Sequence, residues 1–383
     1  MKLGDCVTLI RGTTYKSSLL SESDGPVLLG LGSIERHGGF KKGAWKHYPG
    51  SSSPDIILHP GDLYVSLKDL TQACDLLGAV ARVPKYLTEG RLTQDTVKLH
   101  FQNNASEQVR QYVYWSLRSP QYRAYCKARG TGTTNMSLSR KDFLDWEIPT
   151  KTKGRDTLVQ LLELIELKLA LNSRLNDHLL ELMKQRYNDL FQRPETMGSI
   201  YDIAEVVYGA AFKSSLFNED GEGWPLIRIR DLSTFEPQVY TEERHPKRTF
   251  VNPGDVVAGM DADFRPTFWL GERSVLNQRV CHFRPSVNSE VTPSYLLFAL
   301  QPLLSYIQNY ATGTTVAHLG KSDLEALSVP IPSRKLLIDF GSYAEPLRRC
   351  IVEHAAENSR LISLRNCLLP KLMSGQINVA DGG

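Results

Sequence analysis

A length of 383 residues is more than one ordinary hydrophobic core needs, and it suits two domains joined by something extended. Hydrophobic residues make up 41% and charged residues 23%, and no apolar run approaches the roughly 18 residues that cross a bilayer. The N-terminus lacks the apolar core of a signal peptide, so we expect a cytoplasmic protein. The six cysteines form no C-x-x-C pair, which argues against a metal knuckle and a disulfide framework. The net charge of +3 says little about nucleic acid, although residues 1–150 are net basic and residues 196–334 net acidic.

The first part of the chain reads as short strands followed by helices. Apolar runs bounded by turn residues predict strands at 26–31, 63–67 and 78–83. Residues 107–128 have helical periodicity, interrupted at Pro120. The stretch Thr131-Gly132-Thr133-Thr134 follows and ends this part of the chain.

Residues 155–191 contain no Gly or Pro, and their apolar residues recur at helical spacing. We predict one amphipathic helix, which would reach roughly 50 Å at about 1.5 Å per residue. A heptad frame that starts at Leu158 predicts which residues face a partner helix. Position a takes Leu158, Ile165, Asn172 and Leu179, and position d takes Leu161, Leu175 and Leu182, with Lys168 as a polar exception.

The partner helix is expected at the C-terminus, where residues 336–373 repeat the pattern. The tetrad Asn172-Ser173-Arg174-Leu175 recurs there as Asn358-Ser359-Arg360-Leu361. We predict a duplicated antiparallel helix pair in which Asn172 and Asn358 meet near the middle. The alternatives are two unrelated core helices, and asparagines that face solvent or another protein. Pro346 lacks the helical N–H, so we expect a kink there or a helix that starts near Leu347.

The globular parts repeat as well, with the same motifs in the same order. Tyr15-Lys16-Ser17-Ser18-Leu19 returns as Phe212-Lys213-Ser214-Ser215-Leu216, Pro60-Gly61-Asp62 as Pro253-Gly254-Asp255, and the Gly/Thr stretch as Thr312-Gly313-Thr314-Thr315. The separations differ from motif to motif, which indicates that the copies differ by insertions and deletions in loops.

We therefore predict an α+β fold made by tandem duplication. Two mixed α/β domains are separated by two long antiparallel helices with pseudo-twofold symmetry. The predicted boundaries are 1–152 for the first domain, 153–194 for the first helix, 195–334 for the second domain, and 335–383 for the second helix and tail.

No motif of a familiar enzyme is present. The chain has no G-x-G-x-x-G, P-loop, G-x-S-x-G or H-E-x-x-H, and it lacks the Asn/Asp-Pro-Pro-aromatic tetrad with which methyltransferases hold an amino group. Pro54-Asp55 resembles part of a nuclease site, but no Asp/Glu-x-Lys pair follows it closely. We predict no catalytic residue and no metal site.

The repeated Thr-Gly-Thr-Thr has two interpretations. Its hydroxyl and N–H groups can approach a phosphate backbone closely. Alternatively, the glycine makes a turn with positive φ and the threonines cap the following helix. Because identical residues in both copies can hardly read different sequences, base readout must come from the loops in which the copies differ.

Those loops carry basic residues beside aromatic ones. Each run is either a solvated face or a DNA contact to phosphates and guanine edges, and the run at 261–265 adds carboxylates that can accept from cytosine. The candidate DNA-binding residues are Lys16, Lys41, Lys42, Lys46, Thr133, Thr134, Lys213, Arg228, Arg230, Lys247, Arg248, Thr314 and Thr315.

This architecture closely resembles the specificity (S) subunit of type I restriction-modification systems. The resemblance rests on two dissimilar domains that each end in Thr-Gly-Thr-Thr and a Val/Ile-Pro strand, on the long helix after each, and on the C-terminal run from Leu368 to Ile377. It implies a non-catalytic protein in which each domain reads one half of a bipartite site in double-stranded DNA.

The resemblance also implies partners. Two methyltransferase subunits would dock on the helices, carry S-adenosylmethionine and methylate adenine at N6, and restriction subunits would add ATP- and Mg-dependent cleavage. This chain itself would hold no cofactor. The alternative from another class is a two-domain adaptor that binds a peptide or a glycan.

Overall fold

The computed structural model describes residues 1–102, 105–133, 135–191, 196–287, 289–311 and 318–374. The chain divides into two units, Met1–Leu167 with the segment from Ile362 onward (unit 1) and Lys168–Leu361 (unit 2). This division cuts both long helices, so the predicted domain boundaries stay a prediction.

Unit 1 begins with strands and continues with helices, in the predicted order. Its strands are β1 (Val7–Arg11), β2 (Val27–Leu29), β3 (Ile57–Leu58), β4 (Leu63–Ser66), β5 (Lys68–Asp69), β6 (Val80–Arg82), β7 (Gly90–Leu92), β8 (Thr96–Phe101) and β9 (Met136–Ser137). Its shorter helices are α1 (Glu107–Ser116), α2 (Pro120–Arg129) and α3 (Arg140–Leu144). The strands predicted at 26–31, 63–67 and 78–83 are confirmed, and Pro120 begins α2 as its first residue, where no N–H is needed.

The long helices are α4 (Lys153–Phe191) and α8 (Arg334–Ser374). Unit 2 has the strands β10 (Met197–Ser199), β11 (Ala204–Tyr208), β12 (Phe217–Asn218), β13 (Trp224–Ile227), β14 (Tyr240–Thr241), β15 (Phe250–Val251), β16 (Val256–Gly259), β17 (Thr267–Phe268), β18 (Ser274–Leu276), β19 (Val280–Pro285) and β20 (Ser328–Pro330). Its shorter helices are α5 (Ile200–Ile203), α6 (Pro293–Ala311) and α7 (Lys321–Glu325).

Each unit contains a four-stranded sheet, and the two sheets have the same topology. In unit 1 four antiparallel strands lie in the order β1-β8-β4-β6, and in unit 2 the order is β11-β19-β16-β17. A second sheet pairs β2 parallel with β7 in unit 1, and β13 parallel with β18 in unit 2. The shared topology confirms the predicted α+β fold and its tandem duplication.

In each four-stranded sheet one inner strand, β4 or β16, is buried on both faces. Leu63 and Val65 on β4 pack in the cluster that holds Trp115 and Tyr122 of the helices, whereas Tyr64 packs in the second cluster with Leu29. This burial explains why the strand alternates between two apolar environments instead of between apolar and polar residues. Each fully buried side chain of this size contributes about 1.5–3 kcal/mol to stability.

The long helices pair as predicted, within each unit. In unit 2, Asn172 Nδ2 donates to Asn358 Oδ1 (2.9 Å) and Arg186 binds Asp339 (2.9 Å), so residue numbers rise on α4 as they fall on α8. In unit 1, Leu158 and Leu162 near the start of α4 are buried in one cluster with Leu369 and Leu372 near the end of α8. The contact predicted between the two repeated asparagines is confirmed.

The heptad frame was half wrong. Its a positions are the covered ones, with Leu158, Ile165 and Asn172 buried, but the predicted d positions Leu161, Leu175 and Leu182 are 40%, 39% and 44% exposed. The covered residues between the a positions lie one residue later and include Leu162, Leu169, Asn176 and Met183. Leucine or methionine stands at several positions of both stripes, so the pattern alone did not fix which stripe faces the partner.

A start of the second helix near Leu347, one of the two alternatives expected from Pro346, is wrong, whereas the predicted boundary at residue 335 agrees with the structure. The helix α8 begins at Arg334 and continues through Pro346. Phe340 and Ala344 before the proline and Ile351 after it are buried in the core of unit 2. Their burial compensates for the backbone hydrogen bond that proline removes, at roughly 3 kcal/mol.

A buried charge network fixes α4 to the domain of unit 1. Glu166 accepts from Arg118 Nη1 (2.8 Å), Arg82 Nη2 (2.6 Å) and the Tyr114 hydroxyl (3.1 Å). Burial alone would raise the pKa of Glu166, but the two guanidinium groups outweigh it and the pKa lies below its usual range. The part of α4 that lies in unit 1 is therefore held on the domain of that unit.

Candidate nucleic-acid interface

The basic loop of unit 1, residues 36–48, folds on an aromatic anchor. The Phe40 ring packs edge-on against Trp45 and Tyr86, with centroids 6.3 and 6.4 Å apart. Gly38 and Gly39 have φ of +104° and +116°, values that residues other than glycine rarely adopt. The aromatic residues of this loop thus serve packing.

The lysines of the same loop are exposed. Lys41, Lys42 and Lys46 all lie on the surface, and Lys46 forms an ion pair with Glu22. The pair reduces the charge that Lys46 can offer to a phosphate. DNA contact by these lysines stays a prediction.

The repeated Lys-Ser-Ser-Leu motif builds the same turn in both units. Exposed Lys16 and Lys213 each directly precede a short 3-10 turn, Ser17–Leu19 and Ser214–Leu216. The lysine backbones have nearly the same angles, φ −87° with ψ 117° and φ −74° with ψ 119°. The duplication therefore presents one lysine at the same place of each unit.

A cavity of about 340 Å³ lies beside Lys16 in unit 1. Its wall includes the buried Arg91, which donates to Ser52 Oγ (2.8 Å) and Thr13 Oγ1 (2.9 Å) and stacks on Tyr48 at 4.8 Å. Burial lowers the pKa of Arg91. Sequence reasoning missed this residue, because a single arginine in a short strand carries no signal.

The predicted basic residues of unit 2 fall into two groups. Arg228 is held by the buried Asp231, with Nε 3.1 Å from Oδ2, so its guanidinium serves the local fold. Arg230, Lys247 and Arg248 are exposed. Among the described residues, no hydrogen bond links these three side chains to one another.

The Gly/Thr stretch forms a turn in unit 1. Gly132 has φ of +126°, and Thr131 exchanges backbone hydrogen bonds with Ser137 (2.9 and 2.8 Å). The expected threonine cap is wrong there, because Ser139 caps α3 by accepting from the Asp142 N–H. The Thr133 carbonyl accepts from Gln72 Nε2 (2.6 Å), whereas Thr134, Thr314 and Thr315 lie outside the described residues.

Within the described part of the chain, no three His, Cys, Asp or Glu residues are placed to hold a metal ion. The same residues include no helix that is both long and apolar enough to span a bilayer.

Residues 195–335 match the family model described as the type I restriction modification DNA specificity domain. The chain is 30% identical over 210 residues to the type I restriction enzyme EcoBI specificity subunit of Escherichia coli, which covers 52% of this chain and 44% of that protein. It is 24% identical over 315 residues to the MjaIX specificity subunit of Methanocaldococcus jannaschii, covering 71% and 70%. The alignment with the first relative thus spans less than half of that protein.

The fold matches a solved structure over nearly its whole length. A type I restriction-modification system S subunit from M. genitalium superposes with a TM-score of 0.58 at 16% identity, over 97% of this chain and 95% of that one. This likeness supports the fold, and the sequence matches support the family. Over the matched residues the chain is similar to the specificity subunits of type I restriction-modification systems, and its fold is similar to that of one of them.

Proposed function

We propose that the chain is the sequence-specific DNA-binding subunit of a type I restriction-modification complex. Each unit reads one half of a bipartite site in double-stranded DNA, and the paired helices α4 and α8 set the distance between the halves. The observation that carries this proposal is the specificity-domain match at residues 195–335 on a scaffold that occurs twice in the chain.

The charge distribution supports DNA as the ligand. Exposed Lys16 and Lys213 stand at equivalent turns, and the exposed lysines of residues 36–48 stand on a loop that the second unit does not repeat. The lysine that both units share, Lys16 or Lys213, attracts phosphate without regard to DNA sequence. The loops that differ between the units supply the difference in sequence between the half-sites. A peptide- or glycan-binding adaptor receives no support from the comparisons.

The long helices offer apolar surface to a partner. On α4 the exposed leucines are Leu161, Leu164 and Leu167 in unit 1, and Leu171, Leu175 and Leu182 in unit 2. Leucines that remain exposed at helical spacing after α4 has packed on α8 are typical of a docking surface. We assign this surface to methyltransferase subunits, two in number because the repeat provides two docking sites.

In this proposal the chain is not itself catalytic. S-adenosylmethionine and the N6-methylation of adenine belong to the methyltransferase subunits, and ATP and Mg belong to restriction subunits in the full complex. The chain acts in the cytoplasm, where it meets chromosomal and incoming DNA.

The experiment that tests this function is binding by the chain co-expressed with a type I methyltransferase subunit. The proposal expects the two proteins to co-purify and to retain one duplex family from a random-sequence pool. If the complex forms but retains every duplex equally, sequence recognition by this chain is refuted. The isolated chain should not bind S-adenosylmethionine at micromolar concentration.

A further inference from the structure

Two polar positions next to the central sheet are equivalent in the two units. Strand pairing sets Ser66 opposite Thr96 in unit 1 and Gly259 opposite Val280 in unit 2. In unit 1, Lys68 lies two residues after Ser66, and Asp95 lies one residue before Thr96. In unit 2, the equivalent positions are Asp261, two residues after Gly259, and Arg279, one residue before Val280.

These residues form an ion pair in each unit, with reversed polarity. Lys68 Nζ lies 2.9 Å from Asp95 Oδ1, and Arg279 Nη1 lies 3.4 Å from Asp261 Oδ2. In unit 1 the cation, Lys68, follows β4, whereas in unit 2 the cation, Arg279, precedes β19. The cation and the carboxylate therefore exchange positions between the two units. A pair that persists while its signs change indicates that the two side chains act on each other.

The cation is the more exposed member of both pairs. Lys68 is 45% exposed against 27% for Asp95, and Arg279 is 54% exposed against 25% for Asp261. The carboxylate thus lies behind a cation that faces solvent. In unit 2 the same carboxylate also binds His318 Nδ1 at 2.7 Å, which fixes it further.

A glutamine stands beside each pair. Gln94 directly precedes Asp95 and Gln278 directly precedes Arg279, and both glutamines are exposed. The place also adjoins the strand after the Gly/Thr stretch, because Lys68 pairs with Ser137 and Asp261 bridges to His318. Both units therefore present an amide and an oriented cation at the same point of the scaffold.

The chemistry of this cluster favours base edges over phosphates. A cation that a carboxylate already neutralises adds little to the attraction of a phosphate backbone, but its remaining N–H groups still donate in a fixed direction. Arginine and lysine match guanine O6 and N7, and glutamine matches adenine N6 and N7.

We propose that in each unit this glutamine and the carboxylate-held cation read base edges in the major groove. In unit 1 the reading residues are Gln94 and Lys68, and in unit 2 they are Gln278 and Arg279. Asp95 and Asp261 are positioning residues. Because the cation comes from opposite sides, equivalent glutamines are flanked differently, and the two half-sites differ in sequence. This inference rests on the proposed function.

The test is selection from a random duplex pool with the full chain co-expressed with the methyltransferase subunit. Arg279→Ala and Gln278→Ala should each weaken the preference at one position of one half-site by about 5- to 150-fold, the range that a bidentate base contact gives. The other half-site should be unchanged. Asp261→Asn should relax the preference at the same position as Arg279→Ala, although Arg279 is still present.

A polarity transplant tests unit 1. The double variant Lys68→Asp/Asp95→Arg keeps an ion pair and should have the melting temperature of the wild type. The DNA that it enriches should have a new first half-site and the wild-type second half-site. For the unit 2 variants the matched control is Arg284→Ala, since Arg284 on β19 forms an exposed pair with Glu205 (2.9 Å) and should leave the enriched site unaltered.

Three outcomes would overturn the inference. Folded variants that enrich the wild-type site unchanged would show that the cluster reads no base. A uniform loss of affinity with unchanged preference would make it a phosphate contact. If the wild-type complex enriches no site at all, the proposed function fails and the inference falls with it.

Discussion

His282 is a buried titratable group of unit 2 whose environment differs between the repeats. It lies on β19 where Lys98 lies on β8, and Lys98 binds Asp62 at 2.8 Å in unit 1. His282 Nε2 stands 3.7 Å from Asp255, the residue equivalent to Asp62, and neither ring nitrogen has a hydrogen-bond partner among the described residues. Burial lowers the pKa of His282, and the attraction of Asp255 only partly opposes this effect.

The lowered pKa predicts an acid-sensitive unit 2. Because protonation is harder in the folded state than in the unfolded chain, the full stability is present above about pH 6.5. It falls as the pH drops toward the folded-state pKa, by at most about 1.4 kcal/mol per pH unit. We expect His282→Leu to flatten this dependence between pH 5 and 7, measured by hydrogen exchange of β19. A slope that persists in the variant would assign it to another group.

Asn172 is fully buried between the helices. Its Nδ2 donates to Asn358 Oδ1 and to Glu357 Oε2 (2.7 Å), while its own Oδ1 has no partner among the described residues. Hydrogen bonds from Asn172 and Lys168 lower the pKa of Glu357. An amide that is only partly satisfied lowers stability, yet it restricts the register of the helix pair.

The double variant Asn172→Leu/Asn358→Leu should therefore melt higher than the wild type, by about 2–4 °C for each kcal/mol gained. It should also tolerate a wider range of gaps between half-sites in binding assays. A variant that melts lower and keeps the wild-type gap would refute the register role.

At the scale of elements, α4 has two apolar stripes and only one of them is covered by α8. The covered stripe holds Ile165 and Met183, and the other holds leucines such as Leu171 that remain 49% exposed. An uncovered stripe costs hydrophobic free energy in the free chain, and a partner that buries it recovers about 25 cal/mol per Å².

We expect Leu171→Ser, Leu175→Ser and Leu182→Ser together to abolish co-purification with the methyltransferase subunit, because they remove the apolar surface of α4 in unit 2. The melting temperature should fall only modestly, since the three side chains are 49%, 39% and 44% exposed. Val287→Ser, at a position that is 84% exposed outside the long helices, is the matched control. Undiminished co-purification of the triple variant would place the docking surface elsewhere.

At the scale of the whole molecule, the sequence was most informative where the chain repeats itself. Shared motifs predicted the duplication, and the asparagine tetrads predicted a contact between residues 172 and 358. The face of α4 was not predictable, because leucine occurs on both stripes and only tertiary packing decides which stripe is covered.

The candidate recognition residues were harder to predict than the scaffold. Counting basic residues in the sequence selected Lys41 and Lys213, which the fold leaves exposed, but it also selected Arg228, which Asp231 holds in place. The reversed pairs at Lys68 and Arg279 are visible only when strand register aligns the two units. The sequence shows where a basic residue stands, but it does not show which carboxylate lies next to that residue in the fold.

The central claim is that two units on one repeated scaffold read two half-sites independently. The most direct measurement replaces residues 1–150 with the corresponding domain of a related specificity subunit and determines the DNA site that the complex then selects. We expect a new first half-site, with the second half-site and the gap between the two unchanged. A selected site that changes in both halves, or in neither, would contradict it.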